Sequence, residues 1–214
     1  MSFLHLYKFA EALALKSQPG HVPVEVSAIR TWIVDAGIAT EIVVHAVAIN
    51  PDFSPGHVIV RDFREGRHEE ADLRADVRIH RGLNTCWARF VACKEMMHLF
   101  DGPDEAVSDR DRFFTLMDEI DAPPPPTDQS PMLSSEYFAE WMALLLLCPK
   151  PLRDQYRQML VAEEISQYDV AWRFRIPQLV VRSLMSERYD RVYRTLVEDA
   201  EEPVPEDPNE PKAA

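Results

Sequence analysis

An α+β fold, mostly helical, is predicted for this chain, with a small antiparallel sheet packed on one central helix and a C-terminal helical region. Three observations carry that expectation. Apolar residues recur at three- and four-residue spacing along most of the sequence, β-branched runs are confined to residues 41–80, and proline or glycine breaks separate the periodic segments. With 214 residues, 46% of them hydrophobic, the chain can bury one main core.

The N-terminal part, residues 1–37, reads as two helices. Phe3, Leu6, Phe9, Ala10 and Leu13 predict the first over 3–17, closed by Gln18-Pro19-Gly20; Val26, Ile29 and Ile33, with Trp32, predict a second that stops at Gly37. The next part, 41–101, changes period. Strands are expected at 41–49, broken by Asn50-Pro51, at 57–61 after Gly56, and at 76–80, where Val77 and Ile79 alternate. A helix over 84–100 follows, its stripe Cys86, Phe90, Cys93, Met97, Phe100 widened by Trp87 and Val91.

The helical half, 108–198, opens with a helix from Ser108 through Ile120. A polyproline connector from Pro123 to Pro126 ends near Pro131, and Ser134 or Ser135 then caps a helix that is apolar almost all round, halted at Cys148-Pro149. Further helices are expected over 151–164, after a Ser166 cap with Asp169 three residues on, and from Pro177 to about Val197. Residues 199–214 carry proline and acid with nothing to bury, and a disordered acidic tail is expected.

A net charge of −13 argues against nucleic acid or anionic membranes as partners. No apolar run is long enough to span a bilayer, and Lys8, Glu11 and Lys16 interrupt the first apolar pattern, unlike a signal peptide; a soluble, cytoplasmic protein is expected. Cys86 and Cys93 lie two helical turns apart, too far to bridge, so reduced thiols are expected, with at most a pairing to Cys148. Residues 168–182 resemble a helix-turn-helix, but Leu179, Val180, Val181 and Leu184 make the second helix apolar, which predicts a packing hairpin instead of a DNA reader.

Chemistry concentrates in Arg89-Phe90-Val91-Ala92-Cys93-Lys94-Glu95-Met96-Met97-His98. On a helix, H-E-x-x-H puts two histidines on one face to hold a zinc ion, with the glutamate beside them as general base. Lys94 stands in place of the first histidine, while Glu95 and His98 remain. A charged helix edge would explain the same letters, but Lys94 and His98 continue the stripe of Trp87 and Val91, where a charge is costly unless paired. Glu140, in the middle of the apolar helix, is favoured as the answering carboxylate over Glu136, which reads as a first-turn residue stabilised by the helix dipole. Asp101 is read mainly as a helix exit, and the strand histidines His45, His57 and His80 as ordinary surface or half-buried residues, although any of these could complete a site.

The order of small sheet, Arg-Phe-Val-Ala-Cys-Lys-Glu-Met-Met-His, spacer, then Ala139-Glu140-Trp141-Met142-Ala143 leading to Leu146-Leu147-Cys148-Pro149, resembles the ImmA/IrrE family of zincin-like metallopeptidases over about residues 40–190. The resemblance implies His98 as the second histidine ligand, Glu95 as general base and Glu140 as third ligand, in a zincin-like domain of residues 1–198. A protonated lysine offers no lone pair, so Lys94 is expected as a cation that replaces the metal. Two readings follow. In the first, the chain is a catalytically silent zincin-like module with no cofactor that binds a protein partner; in the alternative it is an active zinc endopeptidase cleaving a cytoplasmic regulatory protein.

Overall fold

The computed structural model of the chain describes residues 2–50, 54–63, 72–102, 104–106 and 127–201, with a few isolated positions between 107 and 126. The predicted helix from Ser108 to Ile120, the polyproline connector and the tail beyond residue 201 lie largely or wholly outside the described residues. The architecture is α+β. Helices α1 (Phe3–Lys16) and α2 (Val26–Asp35) lead into strands β1 (Glu41–Val47), β2 (Gly56–Phe63) and β3 (Asp72–His80). Helix α3 (Thr85–Met97) follows and tightens into a 3-10 turn, His98–Phe100. Next come α4 (Pro131–Leu147), α5 (Lys150–Val161), α6 (Gln167–Phe174), α7 (Gln178–Leu184) and α8 (Glu187–Tyr193), the last running into a π turn, Arg194–Glu198. No helix among the described residues is long and apolar enough to cross a membrane.

The predicted breaks act as expected at several ends. Gly37, at φ +71°, lets the chain leave α2 while Ile38 N–H returns to the Ile33 carbonyl at 3.2 Å. Ser166 and Asp169 form the full capping box of α6. Residues 199–201 form a turn, and Glu201 pairs with Lys8 at 2.6 Å.

The sheet is mixed, which corrects the antiparallel expectation. Its order is β1-β3-β2: β1 runs parallel to β3, with Val44 opposite Val77, and β2 runs antiparallel to β3, with Val58 opposite Val77. Alternation fixes which face of a strand is apolar but not which strand lies beside it. Here the chain after β1 returns past the end of β3, where His80 N–H meets the Pro55 carbonyl at 2.8 Å, Arg81 N–H meets Val47 at 2.9 Å, and the His80 ring bonds Ile49 O at 2.8 Å. Ala75, Val77 and Ile79 face inward, and the sheet packs on α3, which in turn lies along α4.

Two helix boundaries also differ. α4 begins one turn before the expected cap: the Ser130 side chain accepts from Leu133 N–H at 3.1 Å, and Pro131 takes the first helical position, where its missing N–H costs nothing. The long helix expected from Pro177 to Val197 is two helices, because Ser186 accepts from Arg188 N–H at 3.2 Å and starts α8 afresh. Val181 and Leu184 of α7 are fully buried, as the packing hairpin requires, whereas Leu179 points to solvent.

The break between α7 and α8 has a polar anchor. Arg153 of α5 is fully buried, its Nε donates to the Leu184 carbonyl at 3.0 Å, and one Nη donates to the Ser186 carbonyl at 2.8 Å. The other Nη reaches Asp154 at 2.6 Å and Asp190 at 3.1 Å, and the guanidinium lies 4.4 Å from the centre of the Tyr189 ring. One arginine thus satisfies the carbonyls that the helix break exposes.

Candidate functional site

The site grows from α3. Asn84 caps the helix by accepting from Trp87 N–H at 3.0 Å. One turn on, Arg89 locks it to its neighbours: Nε donates to the Arg175 carbonyl at 3.3 Å, and the two Nη groups donate to Glu25 at 3.0 Å and the Val24 carbonyl at 2.9 Å. With that end held, Lys94, Glu95 and His98 emerge at the other end between β2 and α4. Gly56 of β2 comes so close that a Cβ there would stand 2.5 Å from Val91 Cγ1 and 3.2 Å from Glu95 Cγ. Only glycine lets the strand approach this far.

Glu95 is 2% exposed. The Lys94 ammonium donates to Glu95 Oε1 at 3.3 Å and to Glu136 Oε2 of α4, so one cation bridges two carboxylates and two helices. Glu136 turns its other oxygen toward His98 Nε2 at 3.4 Å, near enough for an ion pair but not aligned for a hydrogen bond, which leaves Nε2 buried without one. His98 Nδ1 meets Asp101 Oδ2 at 2.8 Å, with the Ser135 hydroxyl 3.3 Å away.

The electrostatics follow from that chain of contacts. Burial works against the Lys94 ammonium, but Glu95 and Glu136 outweigh it and raise its pKa. Burial likewise opposes a charged His98, yet Asp101 and Glu136 push it up to about 9. For Glu136 burial favours the neutral acid, while His98 and Lys94 hold it down at about 2. Both basic groups therefore carry their protons at neutral pH. Glu140 is pushed up by burial, feels the Lys94 charge, and forms no ion pair among the described residues.

Glu136, rather than the favoured Glu140, thus meets Lys94 and His98. With α4 starting at Pro131, Glu136 falls in its second turn and faces α3, while Glu140 lies on the exposed side. Asp101 does end the helical segment, and it also orients His98, a role other than the site-completing one left open for it in the sequence. Ser135, expected only as a possible helix cap, joins the site through His98. His45 and His80 stay apart from this cluster, pairing with Asp76 at 3.5 Å and with the Ile49 carbonyl, while His57, its pKa lowered by burial and by Arg78, lies near enough to feel the Glu95 charge. Cys86, Cys93 and Cys148 are free thiols, and burial pushes Cys93 up to about 12.

Several chemistries can be weighed on this geometry. Ser135, His98 and Asp101 are not a nucleophile relay, because hydroxyl and carboxylate both address Nδ1, whereas a relay uses the two ring nitrogens separately. The residues do not fit zinc either. A catalytic zinc takes three lone-pair donors, and the position beside His98 and Glu136 is filled by an ammonium that has none. Among the described residues, no group of three or more His, Cys, Asp or Glu side chains is disposed to hold a metal ion. Compared with family models, curated proteins and solved structures, the chain matches none of them.

Proposed function

We propose that the chain is a catalytically silent module of the ImmA/IrrE kind, a zincin-like domain in which Lys94 supplies the positive charge that zinc supplies in the active enzymes. Its work is then recognition of a protein partner in a regulatory role. The observation that carries the reading is the Lys94 ammonium held between Glu95 and Glu136 beside His98. Glu136 also suits the family pattern better than Glu140 does, because it stands one turn farther from Cys148-Pro149. Without a metal, Glu95 has no bound water to deprotonate, and its carboxylate serves as a partner for Lys94.

The test is elemental analysis of protein dialysed against zinc. The unmodified chain should retain far less than one zinc per chain, and Lys94→His, which restores H-E-x-x-H, should retain close to one. Stoichiometric zinc in the unmodified chain, lost in His98→Ala or Glu136→Gln, would falsify the silent reading and favour the zinc endopeptidase.

A further inference from the structure

A second polar site lies on α5, sharing no residue with the α3–α4 cluster. A cavity of about 600 Å³ opens between one face of α5 (Lys150, Asp154, Arg157, Gln158 and Val161), with its C-cap Ala162, and Asp190 of α8. That volume lies within the range of small-molecule sites. Its cations are held in place. Lys150 Nζ donates to Asp154 at 2.8 Å and to Asp190 at 3.1 Å and lies 5.4 Å from the centre of the Tyr193 ring; Arg157 touches Asp190 at 3.4 Å.

Charge and hydrogen-bonding capacity do not close within the protein here. The buried Arg153 already donates to both Asp154 and Asp190 from behind, so three cations share two carboxylates and one positive charge is left over. The surplus falls on Arg157, which makes a single contact, at 3.4 Å, and has four further N–H donors with no partner among the described residues. The neighbouring Gln158 amide has no partner among them either. Beyond these donors the wall turns apolar, at Ala162 and at Val161, which is 78% exposed.

We infer that this cavity binds a small organic anion: a carboxylate or phosphate monoester head taken by Arg157 and Gln158, with Lys150 behind, and a short apolar body laid against Val161 and Ala162. Arginine suits such a head because its planar fork donates two parallel hydrogen bonds to a carboxylate or phosphate. Asp154 and Asp190 do not repel it strongly, since each already lies against two or more cations. They also rank the two heads: a phosphate monoester, close to dianionic at neutral pH, would meet both carboxylates with only one spare positive charge, so the carboxylate head is expected to bind more tightly.

The test follows backbone amide shifts of the full chain by NMR while hexanoate or hexyl phosphate is added, with hexanol and inorganic phosphate as controls. One or both amphiphilic anions should give saturable shifts confined to α5 and α8, and the one that binds more tightly identifies the head group. Arg157→Gln should weaken that binding by about tenfold or more, the usual scale for losing a charge-assisted pair. Val161→Asp, at an exposed position away from the Arg153 network, should weaken it similarly without disturbing the fold. The inference is overturned if neither anion gives saturable shifts, if hexanol shifts the same amides equally, or if both variants bind as the unmodified chain does.

Discussion

Replacing Lys94 by Met removes one cation and leaves its two partners in unequal positions. Glu136 keeps His98 at 3.4 Å and is 27% exposed at its side chain, so it stays partly compensated. Glu95 is different: Lys94 is its hydrogen-bond donor, and the carboxylate is 2% exposed. A buried carboxylate without a partner costs roughly 3–5 kcal/mol in a rigid site. The chain has an escape, because Glu95 can take up a proton, and protonating an ordinary glutamate costs about 3.7 kcal/mol at pH 7. That sets the ceiling. Because Lys94 is itself 14% exposed at its side chain, water can enter when the ammonium goes, and a loss of roughly 1–3 kcal/mol is expected. For a chain of this size the melting temperature should fall by roughly 2–12 °C.

The pH dependence separates this cause from simple loss of packing. At pH 5 protonation costs only about 1 kcal/mol, so the deficit should shrink to about that value. A buried carboxylate stripped of its cation destabilises at neutral pH and relents as pH falls, because the neutral acid needs no ionic partner. Urea unfolding at pH 7 and pH 5, followed by far-UV circular dichroism, gives both numbers. Adding Glu95→Gln to the variant should recover part of the loss at pH 7. A variant as stable as the parent at pH 7, or a deficit that grows toward pH 5, would refute the reasoning.

His98, raised to about 9 by Asp101 and Glu136 against the pull of burial, should contribute stability that is full below its unfolded value of 6.5 and lost as pH climbs through about 9. The thermal midpoint should therefore decline between about pH 6.5 and 9 in the parent and by less in His98→Gln. Glu136, held down at about 2 against burial, works in the opposite sense: its contribution is present above its unfolded value of 4.5 and lost as pH falls through about 2, so Glu136→Gln should be weaker than the parent at pH 7 and equal to it near pH 2. Gly56→Ala should force β2 away from Val91 and Glu95 and cost about 1–3 kcal/mol in chemical denaturation, with the largest amide shifts in α3. Arg153→Met should cost about 3–5 kcal/mol by the same measurement, because it strands two carbonyls and the partners of a fully buried cation; a neutral result would mean that water replaces the guanidinium.

What could be read in the sequence was local. The Ser166–Asp169 box, Gly37 and the stripe through Phe90, Cys93 and Met97 all follow from neighbours within a turn or two, and they stand where expected. The order β1-β3-β2 depends on how the chain passes the end of β3, which no periodicity encodes. The site carboxylate turned on a single boundary. Ser130-Pro131 is itself a helix-start signature, but next to a proline tract it read as the end of a spacer, and starting α4 a turn late made Glu136 look like a first-turn residue. The contact of Lys94 with Glu95 is local to α3, whereas that of His98 with Asp101 is hidden in the sequence because Asp-Gly-Pro is also an ordinary turn.

The bridge at Lys94 has one more consequence. A metal ion is captured from solution and can be withdrawn by a chelator, whereas this ammonium hangs from α3 by its own methylene chain and is always within reach of Glu95 and Glu136. The charge that fastens α3 to α4 is therefore part of the chain itself and is set when the chain is synthesised. What can unfasten it is chemistry at the amine: acetylation of Lys94 would cancel the charge in place and leave two acidic side chains facing each other across the helix pair.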